Sequence, residues 1–145
     1  MGYVIIAIAF GWMLITQSMT TERAASQQII QSDTASKLLA GDMLRLANAV
    51  NSWRYSHTLA EGPLSLTQFG LIPTPDPQLH AVIQAGRLWI WSADAPGLFS
   101  ALRQRSTGSS LTLRVSAGRL RMSDGTDMNL ALPSGLSDGN VVYLN

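Results

Sequence analysis

The chain has 145 residues, which is room for one ordinary domain with an attached segment but not for two cores. Ten basic and nine acidic side chains leave a formal net charge of +1, so the protein has no strong field with which to attract nucleic acid. Because the sequence contains no cysteine, disulfides and thiolate metal sites are excluded.

The first twenty residues predict a membrane anchor. Residues 3–19 carry no charged side chain, and most of them are apolar. As a helix with a rise of about 1.5 Å per residue they reach roughly 25 Å. That length is short for a bilayer core of about 30 Å, but thinning of the bilayer or snorkelling absorbs the difference. We therefore expect residues 1–20 to be a retained transmembrane anchor that contacts lipid through residues 3–19.

Two other interpretations of the segment stay open, a cleaved secretion signal and a buried helix of a soluble domain. A secretion signal begins with positive residues and ends at a small-x-small cleavage site, and neither feature is evident before Ser26. The flanking charges say little about orientation. Arg23 follows the segment, and the positive-inside rule therefore slightly favours a cytoplasmic location for the residues after it. The charge of Glu22 beside it weakens this indication.

Residues 21–57 predict a long amphipathic helix that continues from the anchor. Its large apolar side chains recur at spacings of four, three, four and three residues, the period of one helical face. We call this set the apolar stripe: Leu39, Met43, Leu46, Val50 and Trp53. The stripe packs on the protein's own sheet in one interpretation and on a partner helix of a larger assembly in the other. Its residues are therefore candidates for partner contact.

Residues 58–79 predict a proline-rich connector at the start of an α+β domain that spans residues 58–145. The connector contains four prolines and several apolar side chains that pack it down. Ser65 is suited to cap a short helical turn, which Gly70 would end. Thr74–Pro77 fits neither a helix nor a central strand.

Residues 80–92 alternate around a turn at Ala85-Gly86, which predicts a β-hairpin. The alternation places Trp89 and Trp91 on one face of the second strand. Paired tryptophans of this kind pack across strands or form a platform for a ligand. We therefore add both to the candidates for partner contact.

A helix follows the hairpin in the predicted domain. Asp94 offers an N-cap and Pro96 fits the first turn. Leu98, Phe99 and Leu102 then give this helix an apolar face.

Three or four antiparallel strands complete the predicted sheet. Alternating residues predict a hairpin that runs through residues 111–115 and returns through Leu120 and Met122. A further turn leads into residues 128–132, and residues 141–144 form the last strand. The fold class is therefore α+β: a transmembrane helix that continues into a long amphipathic helix, then a small antiparallel-sheet domain with one helix.

Motifs for catalysis and for cofactor or metal binding are absent from the sequence. The two histidines, His57 and His80, are far apart in sequence, and neither belongs to a metal-binding spacing. Phosphate-binding glycine loops are missing as well. We therefore expect no enzyme and no catalytic, cofactor or metal site. Arg114, Arg119 and Arg121 lie near one predicted hairpin, where they bind an acidic partner or a phosphate, or face water on the exposed side of the sheet.

The order of elements resembles the plan of a pilin. Pilin-like proteins place a connector similar to residues 62–71, GPLSLTQFGL, after a long first helix. The start of the chain differs from that of a prepilin. Prepilins carry a charged leader and a glutamate at the fifth mature position, whereas the fifth residue counted from Tyr3 is Ala7.

A closer resemblance is to the PilM family of plasmid-borne type IVB thin-pilus systems. It rests on the chain length, the apolar start after Met-Gly-Tyr, and the helix rich in glutamine and alanine. The helix end at residues 53–55, Trp-Arg-Tyr, and the strand RLWIWS at residues 87–92 add to it. The resemblance covers the whole chain.

The resemblance implies a structural protein of the inner membrane that supports assembly of the conjugative thin pilus, in its basal body or pilin-export apparatus. Its implied partners are other pilus-assembly proteins and the lipid bilayer, with no nucleic acid, and an oligomer is possible. The pilin-like plan places the carboxyl-terminal domain in the periplasm of a single-pass protein. The alternatives are a minor pilin that enters the fibre and, as a third reading, a periplasmic enzyme.

Overall fold

The structure is a computed structural model that describes residues 24–145 with their side chains. The first helix, α1 (Gly2–Ser56), begins before this part of the chain and ends within it. The predicted anchor, residues 1–20, lies outside the described residues. Within residues 24–145, no helix combines the length and the apolar character that crossing a membrane requires.

An antiparallel sheet of six strands follows α1, with a second helix inserted between its third and fourth strands. The elements are β1 (Gly62–Pro63), β2 (His80–Gln84), β3 (Arg87–Ser92), α2 (Leu98–Arg105), β4 (Thr112–Ser116), β5 (Arg119–Arg121) and β6 (Val141–Leu144). Their order across the sheet is β1-β2-β3-β6-β4-β5. The last strand therefore lies in the middle, where it pairs with β3 on one side and β4 on the other. The predicted α+β class is confirmed.

Two tight turns set the register of the sheet. Ala85 and Gly86 have φ values of 52° and 71°, and Ala117 and Gly118 have values of 53° and 68°. Two consecutive residues with positive φ match the right-handed twist of a two-residue hairpin. Both predicted hairpins, β2–β3 and β4–β5, are therefore confirmed.

Three local predictions were wrong or incomplete. Asp94 does not cap α2, because Gly97 occupies the N-cap in a left-handed conformation without a side-chain hydrogen bond. Residues 128–132 form no strand, since the only ladder contact beside them is an isolated bridge from Arg121 to Asp127. The connector contributes the unpredicted strand β1, in which Pro63 is tolerated because the strand is at the edge of the sheet.

Each face of the sheet carries its own core. On one face, α1 and α2 cover the inward side chains of the central strands, Ala81, Ile83, Leu88, Ile90 and Val141. On the other face lie Trp89, Trp91, Leu113, Val115, Leu120, Val142 and Leu144. That second face is covered by residues 122–140, which we call the strap. Its apolar side chains are half-buried against the sheet.

Polar bonds hold one part of α1 against the domain. The Ser36 hydroxyl donates to the Pro96 carbonyl at 2.7 Å, and Arg54 donates to the Gly86 carbonyl at 2.9 Å. Between these two, the Asp42 carboxylate accepts the backbone N–H of Asp76 at 3.0 Å. The docked part of α1 therefore runs from about Ser36 to Arg54.

Replacing Leu46 with alanine tests the orientation of α1. Leu46 is fully buried in the middle of the apolar stripe. We expect Leu46→Ala to lower the free energy of unfolding by about 2–5 kcal/mol, because it removes buried methyl groups and leaves a cavity. Denaturant titration of the purified protein measures this change. Leu38→Ala is the matched control, since Leu38 is 66% exposed, and it should stay within about 0.5 kcal/mol. Equal losses would mean that another face of α1 meets the sheet.

Candidate interaction surfaces

The apolar stripe lies inside this chain's own core along most of its length. Leu39 is 6% exposed, and Met43, Leu46 and Val50 are fully buried. Trp53 is half-buried at the end of the stripe, where its ring stacks on the ring of His57, just beyond the end of α1. The contacts made by the stripe are therefore with the protein's own sheet and α2. Contact between any stripe residue and a partner stays a prediction.

Trp89 and Trp91 are buried between the sheet and the strap. They are 2% and 4% exposed, and the Trp89 indole N–H donates to the Gln84 carbonyl at 3.3 Å. Apolar strap residues cover this face: Met122, Met128, Leu130, Leu132 and Leu136. Neither tryptophan presents a flat surface to solvent. Their predicted role in partner contact remains a prediction.

A groove of about 560 Å³ lies beside β2, between the connector and the strap. Pro63 and Leu64 form one wall and residues 133–135 form the other. The ring of exposed His80 stacks on Trp91 at a centroid distance of 5.5 Å and lines the same groove. The sequence could not predict this groove, because its two walls are about 70 residues apart and meet only through the fold.

Both edges of the sheet are closed by short segments of the same chain. At the β2 edge, β1 pairs with Val82 and Ile83, and Pro63 has no N–H to offer to another strand. At the β5 edge, the Met128 N–H donates to the Leu120 carbonyl at 2.9 Å, so the strap covers that strand. Short or covered edge strands disfavour strand addition by another chain. Assembly through the sheet edges is therefore disfavoured.

The three arginines near the second hairpin already have partners within the chain. Arg114 pairs with Asp94 at 3.0 Å and lies over the Phe99 ring, 5.0 Å from its centroid. Arg119 pairs with Asp127 at 2.9 Å, and Arg121 donates to the Gly125 carbonyl at 3.1 Å. These contacts account for the cluster without an acidic or phosphate ligand.

The two histidines lie on different parts of the domain. His57 stacks on Trp53 at 4.1 Å and shares a hydrogen bond of 2.9 Å with the Ser56 hydroxyl. His80 stacks on Trp91 instead. Within the described part of the chain, no group of three or more His, Cys, Asp or Glu side chains is arranged to hold a metal ion.

Two strap carboxylates have lowered pKa values. The backbone N–H of Thr126 holds the pKa of Asp124 below its ordinary value of 3.8. For Asp127 the backbone N–H of Asn129 is the main cause, and Arg119 adds to the lowering of the pKa. Both groups favour the charged form because donors point at the carboxylate. Asp127 holds the start of the strap to β5 through Arg119, whereas Asp124 stabilises a turn within the strap.

Large exposed apolar side chains occur on α1 before its docked part. Residues 24–31 are all exposed, and Ile29 and Ile30 are 68% and 65% exposed. Leu38, just inside the docked part, is 66% exposed on the side away from the sheet. We call residues 24–35 the stalk. The sequence carries a signal for it, a run that is poor in charge and rich in glutamine, but this run does not show where the domain begins.

A family model described as PilM matches residues 7–144. The chain belongs to the PilM family. No curated protein matches this sequence. The fold is similar to the crystal structure of a PilM protein from Escherichia coli B7A, with a TM-score of 0.66. The two sequences are 30% identical, and the match covers 77% of this chain and 92% of that chain. The predicted resemblance to the PilM family is therefore confirmed, and membership makes this a pilus-related protein.

Replacing Trp91 separates a packing role from a ligand platform. Trp91→Ala should lower the free energy of unfolding by about 3–5 kcal/mol, because the side chain is buried under the strap. His80→Ala is the control, since His80 is exposed and its stacking on Trp91 is worth about 1.5 kcal/mol at most. Chemical unfolding measures both. A loss for Trp91→Ala no larger than that for His80→Ala would argue against packing as its main role.

The decrease in folding stability at acidic pH should depend on Asp127. Its folded pKa lies below 3.8, so its stabilising effect is present above that pH and is lost as the pH falls through the lowered pKa. Asp127→Asn should therefore flatten the fall in stability between about pH 4 and pH 2. Unfolding midpoints measured across this range test the expectation. A variant whose unfolding midpoint falls with decreasing pH as steeply as that of the parent protein would contradict it.

Proposed function

We propose that this PilM-family protein is a membrane-anchored structural component of a type IVB pilus assembly machine, at its basal body or pilin-export apparatus. In this role it supports assembly of a conjugative thin pilus. The protein is a single-pass component of the inner membrane, with its α+β domain in the periplasm. Family membership and the pilin-like order of the elements support this proposal.

The observation that carries the proposal is the stalk. Residues 24–35 of α1 extend about 18 Å beyond the docked part at about 1.5 Å per residue. The Ser32 hydroxyl donates to the Ile29 carbonyl and the Thr34 hydroxyl to the Ile30 carbonyl, so both bonds stay within the helix. Toward the amino terminus, α1 leads into the uncharged residues 3–19. A helix built in this way holds a folded domain at a set distance from a bilayer.

The mechanism in this proposal is positional rather than catalytic. The anchor fixes the protein in the bilayer, and the stalk spaces the domain from the lipid surface. The domain is tied to the stalk by the buried apolar stripe, so movement of one is transmitted to the other. Because both sheet edges are closed, partners meet exposed side chains of α1 or the groove beside β2 rather than adding a strand.

A minor pilin is the second candidate, favoured by the long amino-terminal helix that packs on an antiparallel sheet. A pilin that enters a fibre is processed at its leader and uses an acidic residue near the new terminus, according to the resemblance described above. Ala7 occupies that position here. The same measurement that tests anchoring also separates these two candidates.

The anchor should keep the full-length protein in membranes. We expect the protein to remain in the membrane pellet after a high-salt or carbonate wash, because insertion of apolar residues is not screened by salt. Its intact mass should include Met1 and Gly2. Loss of these two residues or a methylated terminal amine would favour the minor pilin. A shortened protein in the soluble periplasmic fraction would contradict the proposal that the protein is a membrane-anchored component.

A replacement of the anchor provides the matched control. A chain in which residues 1–20 are exchanged for an unrelated single-pass anchor of the same orientation should still support pilus assembly. The same domain exported without any anchor should not. Equal pilus assembly by the anchored and unanchored forms would contradict a positional mechanism.

A further inference from the structure

We propose that residues 130–135 of the strap are a lid that opens and closes while the rest of the sheet stays folded. The lid lies over the face of the sheet that carries Trp89 and Trp91, which we call the tryptophan face. Opening widens the groove beside β2, so the lid controls whether that groove exposes Trp91. The inference goes beyond the proposed function and requires neither the membrane anchor nor the stalk.

The strap is fastened to the sheet on both sides of the lid. Before the lid, the Asp127 carboxylate pairs with Arg119 of β5 at 2.9 Å. After the lid, the Asp138 carboxylate accepts the backbone N–H of Gly118 at 2.7 Å. Both attachments are to the β4–β5 hairpin. The segment between them can therefore move while both ends of the strap stay in place.

A single polar contact ties the lid to the sheet. The side-chain amide of Gln84 donates to the Ala131 carbonyl at 3.0 Å, in a position exposed to solvent. Among the residues that the structure describes, this is the one hydrogen bond between residues 130–135 and a strand of the sheet. Segments with few hydrogen bonds, and with bonds that water can reach, open at a lower free energy than that of global unfolding. The lid has both properties.

The apolar contacts of the lid are shallower than those of α1 on the opposite face. Leu130 and Leu132 are only half-buried against the tryptophan face, and Pro133 is the buried residue of the lid. The stripe residues of α1 are almost fully buried. Because the free energy of burial grows with the apolar area removed from water, lifting the lid costs less than lifting α1. The two covers of the sheet therefore differ in how readily they open.

Left-handed backbone conformations occur at both limits of the lid. The φ value is 50° at Asn129 and 95° at Gly135. Hinges are a few loop residues that absorb changes of φ and ψ. Gly135 can absorb such changes at low steric cost, since it has no Cβ atom. These two residues are therefore the hinges of the lid.

The same residues form a wall of the groove and part of the cover of Trp91. Residues 133–135 line the groove opposite Pro63. A Cβ atom on Gly135 would lie 3.7 Å from the Trp91 Cζ2 atom, so this part of the lid contacts the edge of the indole ring. When the lid lifts, the wall moves away and the indole face becomes part of the groove floor. The groove of about 560 Å³ is therefore the smaller of two states.

Two adjacent valines of β6 provide a matched test, because the chain contains no cysteine. Val142 lies on the tryptophan face, where it pairs with Trp91, and Val141 lies on the face covered by the helices. Both are fully buried. Val142→Cys and Val141→Cys are made in the full-length protein, and the reaction of each thiol with dithionitrobenzoate is followed. Without denaturant, the Val142→Cys thiol should react at least about tenfold faster.

Low concentrations of urea distinguish opening of the lid from global unfolding. The reaction rate of Val142→Cys should change little below the unfolding transition, because opening of the lid exposes little surface. The rate of Val141→Cys should rise with urea in parallel with the unfolding equilibrium. Equal rates with an equal dependence on urea would show that the two faces open together, and would overturn the lid.

Removal of the Gln84 side chain identifies the segment that opens. Gln84→Ala should raise the reaction rate of the Val142→Cys thiol about fivefold, because it removes one hydrogen bond that holds the lid closed. Gln104→Ala is the matched control, since Gln104 is exposed on α2 at the other face of the sheet, and it should leave the rate unchanged. Equal rates in the two variants would mean that another segment uncovers Val142, and would overturn the assignment of the lid to residues 130–135.

Discussion

Burial of the apolar stripe of α1 against the sheet is the interaction on which the rest of the structure depends. The central strands β2, β3 and β6 turn aliphatic side chains toward the helices. α2 has only eight residues and cannot cover that face alone. Each buried leucine, methionine or valine contributes about 1.5–3 kcal/mol relative to an exposed one, so Leu39, Met43, Leu46 and Val50 together contribute roughly 6–12 kcal/mol, which is about as large as the net stability of a typical domain. Without α1 the sheet would expose a large apolar surface.

The position of β6 makes the sheet one cooperative unit. The two hairpins, β2–β3 and β4–β5, are joined only because the last strand inserts between them. The strap that leads into β6 covers the tryptophan face, so closing the sheet and covering its second face occur together. The strap also covers the β5 edge and holds Arg119 and Arg121, whereas β1 covers the β2 edge and Asp94 pairs with Arg114. What remains for a partner is the exposed part of α1 and the groove beside β2, which is why the functional proposal centres on the helix.

The sequence predicted the elements whose signal is local. The stripe on α1 and both hairpins carry strong periodic patterns and turn residues, and all were found. The prediction of an N-cap at Asp94 was wrong, because Gly97 occupies the N-cap of α2 in a left-handed conformation. Asp94 instead forms an ion pair with Arg114 on β4. Residues 128–132 alternate like a strand, but they pack on the sheet as a strap instead of pairing in it. The groove, the closed edges and the limit of the stalk depend on contacts between distant segments, which no local pattern encodes.

Hydrogen exchange along α1 tests the dependence of the fold on this helix most directly. In the full-length protein, the slowest amides of residues 39–50 and of β3 should exchange with the same free energy, equal to that of global unfolding. Leu46→Ala should lower both by the same amount, and amides of the stalk should exchange faster. Amides of residues 39–50 that open far below the global free energy, while β3 stays protected, would show that the sheet is stable without the helix. That result would contradict the account.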